Sequence, residues 1–248
     1  MPVMPGAEPF SSDGGDVGVL VCHGFTGSPQ SMRPLAQSLA AEGFSVRLPR
    51  LPGHGTTWQE MNRTQWADWL ACAESAFAEL VDSCDRVFVA GLSMGGALAL
   101  RIAERQAPHV AGLALVNPCV TLGDPRLVAL PVLKHVLASL PGIASDIAQP
   151  ERTELAYDRT PLKALHSFVQ AFPEVVRDLP QVTQPLLLMR SAVDHVVPAK
   201  SSQLVLSRVS SKDVTEIVLE RSFHVATLDY DADVIERETL AFIRRVTG

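Results

Sequence analysis

The stretch "FVAGLSMGGALALRI" runs from Phe88 to Ile102. An apolar, strand-like run gives way to an Ala/Leu-rich helical pattern. Ser93 stands at the junction, with Gly91 two places before it and Gly95 two places after. Gly91-Leu92-Ser93-Met94-Gly95 therefore fits G-x-S-x-G, a strand-to-helix turn so sharp that side chains at the flanking positions would collide. The glycines remove the collision and leave the hydroxyl clear of its neighbours. The serine also sits at a helix N-terminus, where free N–H groups and the helix dipole favour developing negative charge.

Working outward, short apolar runs alternate with helical patterns. "VGVLVCHG" (17–24), "FSVRLPRL" (44–51), "DRVFVAG" (85–91), "HVAGLALVNP" (109–118), "QPLLLMRS" (184–191) and "VTEIVLE" (214–220) read as strands. Helices are predicted over 28–44, 64–84, 93–106 and 231–246. In the first of them Ser28 is placed to cap, Pro29 to occupy the first position and Gly43 to end the helix. Strands separated by helices imply βαβ crossovers and a mostly parallel sheet covered on both faces. Residues 120–182 break the rhythm: they are rich in proline and show no strand. Because "LVALPVLKHVLASLPGI" has almost no polar face, this segment reads as a helical cap inserted over one end of the sheet. The expected organisation is a core of 1–119 and 183–248 with a cap at 120–182.

A serine hydroxyl needs a base. Among seven histidines, His109, His135 and His166 occupy helical or edge contexts, and His23 and His54 lie in Gly-flanked loops. His224, in "RSFHVATLDY", follows the last strand, where a loop returns over the carboxyl ends of the strands. The base in turn needs an acid to fix its tautomer. Asp194, in "RSAVDHVVP", ends the fifth predicted strand; its alternative role is to cap the helix that Pro198 helps to start. His195 is read as a surface residue and His54 as structural. Trp66 and Trp69, at i and i+3, are assigned to the core. The order Ser93, Asp194, His224 is that of an α/β-hydrolase triad. Two oxyanion donors complete the set: the N–H of Met94, after the nucleophile, and that of Phe25, in "HGFTGSP" after the first strand.

Composition narrows the partners. Charged residues make up 19% of the 248-residue chain and the formal net charge is −6, which argues against nucleic acid. Cys22, Cys72, Cys84 and Cys119 are scattered, without metal-ligand spacing, and read as reduced core thiols. The N-terminus "MPVMPGAEPF" lacks the basic start and apolar run of a signal peptide, and no apolar run approaches the roughly 20 residues of a spanning helix. A cytoplasmic location is expected, and no metal or organic cofactor is required.

The segments "LVCHGFTGSPQSMRPLA", "LPRLPGHGT", "GLSMGGALAL", "DHVVP" and "SFHVATLDYD" resemble the bacterial monoacylglycerol lipases and their carboxylesterase relatives. The resemblance runs from "GAEPF" to the last helix and is weakest in the cap. It implies a minimal α/β-hydrolase fold, with the opening strands of larger relatives missing or reduced. It also implies a substrate-binding role for Glu154, in "TELAYDRTP", toward the free hydroxyls of a glycerol group. On its own Glu154 reads equally as a solvated helix charge. Ile143, in "PGIASD", falls where the family keeps an apolar residue near the alcohol-side pocket.

The expected function is a serine esterase that hydrolyses monoacylglycerol to fatty acid and glycerol through an acyl-enzyme. A broad short-chain carboxylesterase and a non-enzymatic ligand sensor on the same fold are the alternatives. The apolar stretch from Leu127 to Leu140 is expected to shield the acyl chain and to offer a transient contact to a membrane or micelle; ordinary packing on the sheet is its other reading.

Overall fold

The computed structural model describes residues 2–142 and 145–248. Among the described residues nine strands form: β1 (Phe10–Ser12), β2 (Val17–Cys22), β3 (Ser45–Leu48), β4 (Arg86–Leu92), β5 (Val110–Val116), β6 (Ser139–Pro141), β7 (Arg159–Pro161), β8 (Leu186–Ser191) and β9 (Val214–Leu219). The helices are α1 (Arg33–Ala41), α2 (Trp58–Met61), α3 (Trp66–Ser83), α4 (Met94–Arg105), α5 (Leu130–Val136), α6 (Leu162–Asp178), α7 (Ala199–Arg208) and α8 (Ala232–Thr247).

Seven strands make the main sheet in the order β1-β3-β2-β4-β5-β8-β9. Only β1 runs antiparallel to its neighbour; every other pairing is parallel. All six predicted strands are present. The short β1, three residues paired with β3, lies ahead of the first predicted strand.

The continuous apolar runs follow from burial on both faces. Along β4, Val87 and Val89 join the core under α3 and α4, whereas Phe88, Ala90 and Leu92 join the core under α1 and α8. Trp69 is fully buried in the first of these cores and Trp66 nearly so. Each parallel strand ends at the same edge, so the loops after β2, β4, β8 and β9 converge there.

Helix boundaries follow local chemistry. Gln65 and Asp68 form a reciprocal capping box at the start of α3. Pro29 opens a 3₁₀ turn that leads into α1, and Gly43, with φ +88°, ends it as expected. Ser28 departs from expectation: its side chain makes no capping hydrogen bond and its buried Oγ has no partner among the described residues.

The inserted stretch also departs from a purely helical reading. β6 and β7 pair antiparallel as a separate two-stranded sheet, with Ser139 opposite Pro161 and Pro141 opposite Arg159. Strands of three residues, each containing proline, carry no periodic signal. Between Cys119 and β6 lie a 3₁₀ turn (Pro125–Ala129) and α5. α6 holds Pro173 inside it and packs Phe168, Phe172 and Val175 into the same core as α3 and α4. Arg101 on α4 ties that contact, pairing with Glu104, with Asp178 at 2.8 Å and with Glu174.

Candidate active site

Ser93 follows β4 with φ +57° and ψ −116°, in a region that a non-glycine residue occupies only when its surroundings impose it. They do so here. The Ser93 N–H donates to Val116 O at 3.0 Å, and the Ser93 carbonyl accepts from the N–H groups of Gly96, Ala97 and Cys119. A Cβ on Gly91 would lie 2.2 Å from Gly95 O, and one on Gly95 would lie 2.1 Å from Cys22 O. Only hydrogen fits at either position, which is the physical content of the motif.

His224 sits in the loop after β9 and Asp194 in the loop after β8. His224 Nδ1 lies 2.7 Å from Asp194 Oδ2, and both side chains are less than a tenth exposed. With Nδ1–H donating to the carboxylate, Nε2 is left as the acceptor a base requires. Asp194 Oδ1 accepts from the N–H groups of Val196 and Val197, at 2.8 and 2.7 Å. Asp194 thus contacts His224 and also caps a turn, but the turn lies ahead of α7, whose own cap is Pro198.

Ser93 and His224 line one cavity of about 420 Å³ together with Gly24, Phe25 and Glu154. Met94 opens α4, where the first N–H groups have no acceptor inside the helix. Phe25 follows β2; its carbonyl accepts from the Thr26 hydroxyl at 2.6 Å and its ring stacks on Phe168 at 5.9 Å between centroids. Behind it His23 is fully buried, with Nδ1 3.0 Å from Gly24 O and Nε2 accepting from Leu51 N–H at 3.2 Å. Burial lowers its pKa to about 4, so it stays neutral. His54 packs edge-on against His23 at 5.0 Å, equally buried, with its pKa also lowered by burial. His195 is half-exposed.

Glu154 is no solvated helix charge: it lies in an irregular segment and its carboxylate points inward. A Cβ on Gly27 would meet Glu154 Oε1 at 2.5 Å. Burial raises its pKa to about 7, partly offset by His224 and the Ser31 side chain. Leucines form much of the remaining cavity wall, among them Leu127, Leu130, Leu133, Leu162 and Leu165, with Asp124, Arg126, Asp146 and Thr160 as polar members. Ile143 lies outside the described residues.

Sequence reasoning missed the groups that hold the catalytic loops. Asn117, with φ +45°, donates from Nδ2 to His224 O at 2.8 Å and accepts from Ser191 N–H at 2.8 Å. Asp229 is buried and accepts from the N–H groups of Ala148, Gln149 and Phe223. The aspartates of "HVATLDYD" were the available signal; Asn117 offered only its place after an apolar strand.

The chain is 40% identical over 248 residues to the thermostable monoacylglycerol lipase of Bacillus sp. (strain H-257), covering all of this chain and 98% of that protein. It is 23% identical to the carboxylesterase of Bacillus subtilis (strain 168), covering 96% of this chain and 97% of that one. A solved structure from the metagenome-derived lipolytic enzymes LipS and LipT superposes with a TM-score of 0.96 at 43% identity, covering 98% of this chain and all of the other. The monoacylglycerol lipase of Paleococcus ferrophilus shares the fold, with a TM-score of 0.79 at 19% identity, covering 96% of this chain and 99% of that one. Residues 16–231 match the family described as Hydrolase_4, serine aminopeptidase S33. The chain belongs to that family of α/β-hydrolases.

Proposed function

We propose that this protein is a serine esterase that hydrolyses monoacylglycerol to fatty acid and glycerol. The observation that carries the reading is one cavity holding a strained serine, a histidine fixed by an aspartate, a buried carboxylate and a leucine-rich wall. The 40% identity to a monoacylglycerol lipase over the full chain supports the same substrate class.

In this mechanism His224 Nε2 takes the proton of Ser93 as its Oγ attacks the ester carbonyl. The N–H groups of Phe25 and Met94 hold the oxyanion, each worth about 2.7–4 kcal/mol. Asp194 stays ionised and stabilises the imidazolium. His224 then protonates the departing glycerol oxygen, and water activated by the same histidine releases the fatty acid. Glu154 accepts hydrogen bonds from the glycerol hydroxyls, while the leucines enclose the acyl chain.

Residues 120–182 act as the cap over this site, with α6 as its anchor on the body. α5 turns Leu130 and Leu133 to the cavity. The preceding 3₁₀ turn and α5 together leave Val128, Val132 and Val136 outside, at 88, 69 and 75% exposure and four residues apart. Such a stripe fits transient contact with a membrane or micelle. Among the described residues no helix is long and apolar enough to cross a membrane. The four cysteines are free, which supports a reducing compartment such as the cytoplasm.

A turnover panel tests the reading. Monoacylglycerols should be cleaved faster than ethyl or methyl esters of the same acyl length. Equal rates would instead favour a broad carboxylesterase, and labelling of Ser93 without any ester turnover would favour a ligand sensor.

A further inference from the structure

Asp194 fixes the ring of His224, and Asn117 holds its carbonyl. Its N–H is held from elsewhere. It donates to Asp146 Oδ2 at 3.2 Å, and Asp146 belongs to the inserted segment, to neither catalytic loop. The same Oδ2 accepts from the His195 N–H at 3.2 Å, and Oδ1 lies 2.8 Å from His195 Nδ1. The Asp146 carbonyl accepts from Val225 N–H at 3.0 Å. One carboxylate, 9% exposed, therefore bonds the residue after the acid and the base itself.

The segment around Asp146 is held firmly enough to act as a brace. Ser145 adopts φ +59°, and its Oγ accepts from Glu154 N–H at 2.9 Å. Next along the chain, the N–H groups of Ala148 and Gln149 donate to the buried Asp229 carboxylate, which also accepts from Phe223 N–H beside His224. The few residues from Ser145 to Gln149 thus contact the acid loop, the base loop and the backbone of Glu154.

We infer that Asp146 is a positioning residue for His224: it sets the spacing of the acid and base loops so that the Asp194–His224 hydrogen bond forms in reactive geometry. The inference rests on the roles proposed above for Ser93, Asp194 and His224. Asp146 meets His224 at the backbone and not at the ring, so it moves no proton in the reaction. Its loss leaves the N–H groups of His224 and His195 without their acceptor and frees the two loops to separate. Asp146 also lines the cavity, but the leucine wall is untouched, so the loss falls mainly on kcat.

The test uses the purified full chain and p-nitrophenyl butyrate, a soluble ester that needs no glycerol contact. Asp146→Ala should lower kcat about 10- to 100-fold, as expected for a small misplacement of a catalytic group, with KM changed by less than about 3-fold. The downfield proton NMR signal of His224 Nδ1–H should broaden or vanish with it. Asp146→Asn keeps one acceptor oxygen, so it should recover part of kcat and of the signal, and it serves as the test if the alanine variant does not fold. His195→Ala leaves both backbone bonds in place and should stay within about 3-fold of wild type. A folded Asp146 variant with wild-type kcat and an unchanged His224 signal would overturn the inference, as would a rise in KM alone. His224→Ala, run alongside, separates the two claims: if it stays active, the triad reading itself has failed.

Discussion

The carboxyl edge of the sheet and the α5 stretch line the same cavity but are held by different forces. At the sheet edge Ser93, Asp194, His224 and Asn117 are buried or nearly so, and each is fixed by hydrogen bonds of stated direction. α5 is held by leucines turned inward, while its valines face solvent and its residues make few polar contacts. Directional bonds fix atoms to the tolerance that proton transfer requires; apolar burial fixes only shape and volume. Substitutions at the edge should therefore remove the chemistry, and substitutions in the α5 stretch should change which substrates reach it.

The largest effect is expected at the edge. Ser93→Ala and His224→Ala should each lower kcat by about 10⁴-fold or more while the protein stays folded, as measured by ester turnover and thermal melting. Gly95→Ala comes next and acts through the fold. Its Cβ would meet Cys22 O at 2.1 Å, a main-chain atom that cannot rotate away. The expected cost is about 1–3 kcal/mol or more, read as a fall in melting temperature and a loss of soluble yield.

Glu154 lies between the two regimes. Glu154→Ala should slow monoacylglycerol cleavage by roughly 10-fold or more, and ethyl-ester cleavage far less, since a charged acceptor is lost only where glycerol hydroxyls are present. Equal slowing of both would remove it from the alcohol site. Its ionisation gives a second handle. Burial raises its pKa from 4.5 to about 7, so the stability linked to this group is complete below pH 4.5 and is lost as pH rises to about 7. Glu104, also raised to about 7 by burial, acts in the same direction. Glu154→Gln should therefore shrink, without abolishing, the loss of thermal stability between pH 4.5 and 7. If the ionised form holds glycerol, the preference for monoacylglycerol over the ethyl ester should also rise through pH 7.

The smallest effect on chemistry belongs to the outer face of α5 and the 3₁₀ turn before it. Replacing Val128, Val132 and Val136 with serine should leave cleavage of a soluble short-chain ester within about 2-fold and weaken flotation with phospholipid vesicles, because these side chains contribute apolar area and no directional bond. Unchanged vesicle binding would assign the stripe to ordinary exposed surface.

How much was legible in the sequence follows the same division. The six core strands and the elbow could be read because buried parallel strands demand continuous apolar runs and a tight turn demands glycine. Asp194 and His224 could be placed because both follow such strands directly. The hairpin of β6 and β7 could not, since pairing between residues about 20 apart leaves no periodic mark. Asp146 was equally hidden: its three acceptor contacts join segments 49 and 78 residues distant, and nothing local in "IASD" announces them. Glu154 illustrates the limit from the other side. Its neighbours suggested a solvated helix charge, and only the packing of Gly27 and Ser31 around it shows a carboxylate turned inward.

The central claim is that Ser93 is the nucleophile of a turnover enzyme. Mass spectrometry after treatment with a fluorophosphonate, paired with monoacylglycerol turnover on the same samples, tests it directly. The account predicts one adduct on Ser93 in the wild type with loss of turnover, and neither adduct nor turnover in Ser93→Ala. An adduct at another residue, or a Ser93→Ala protein that still releases fatty acid at the wild-type rate, would contradict it.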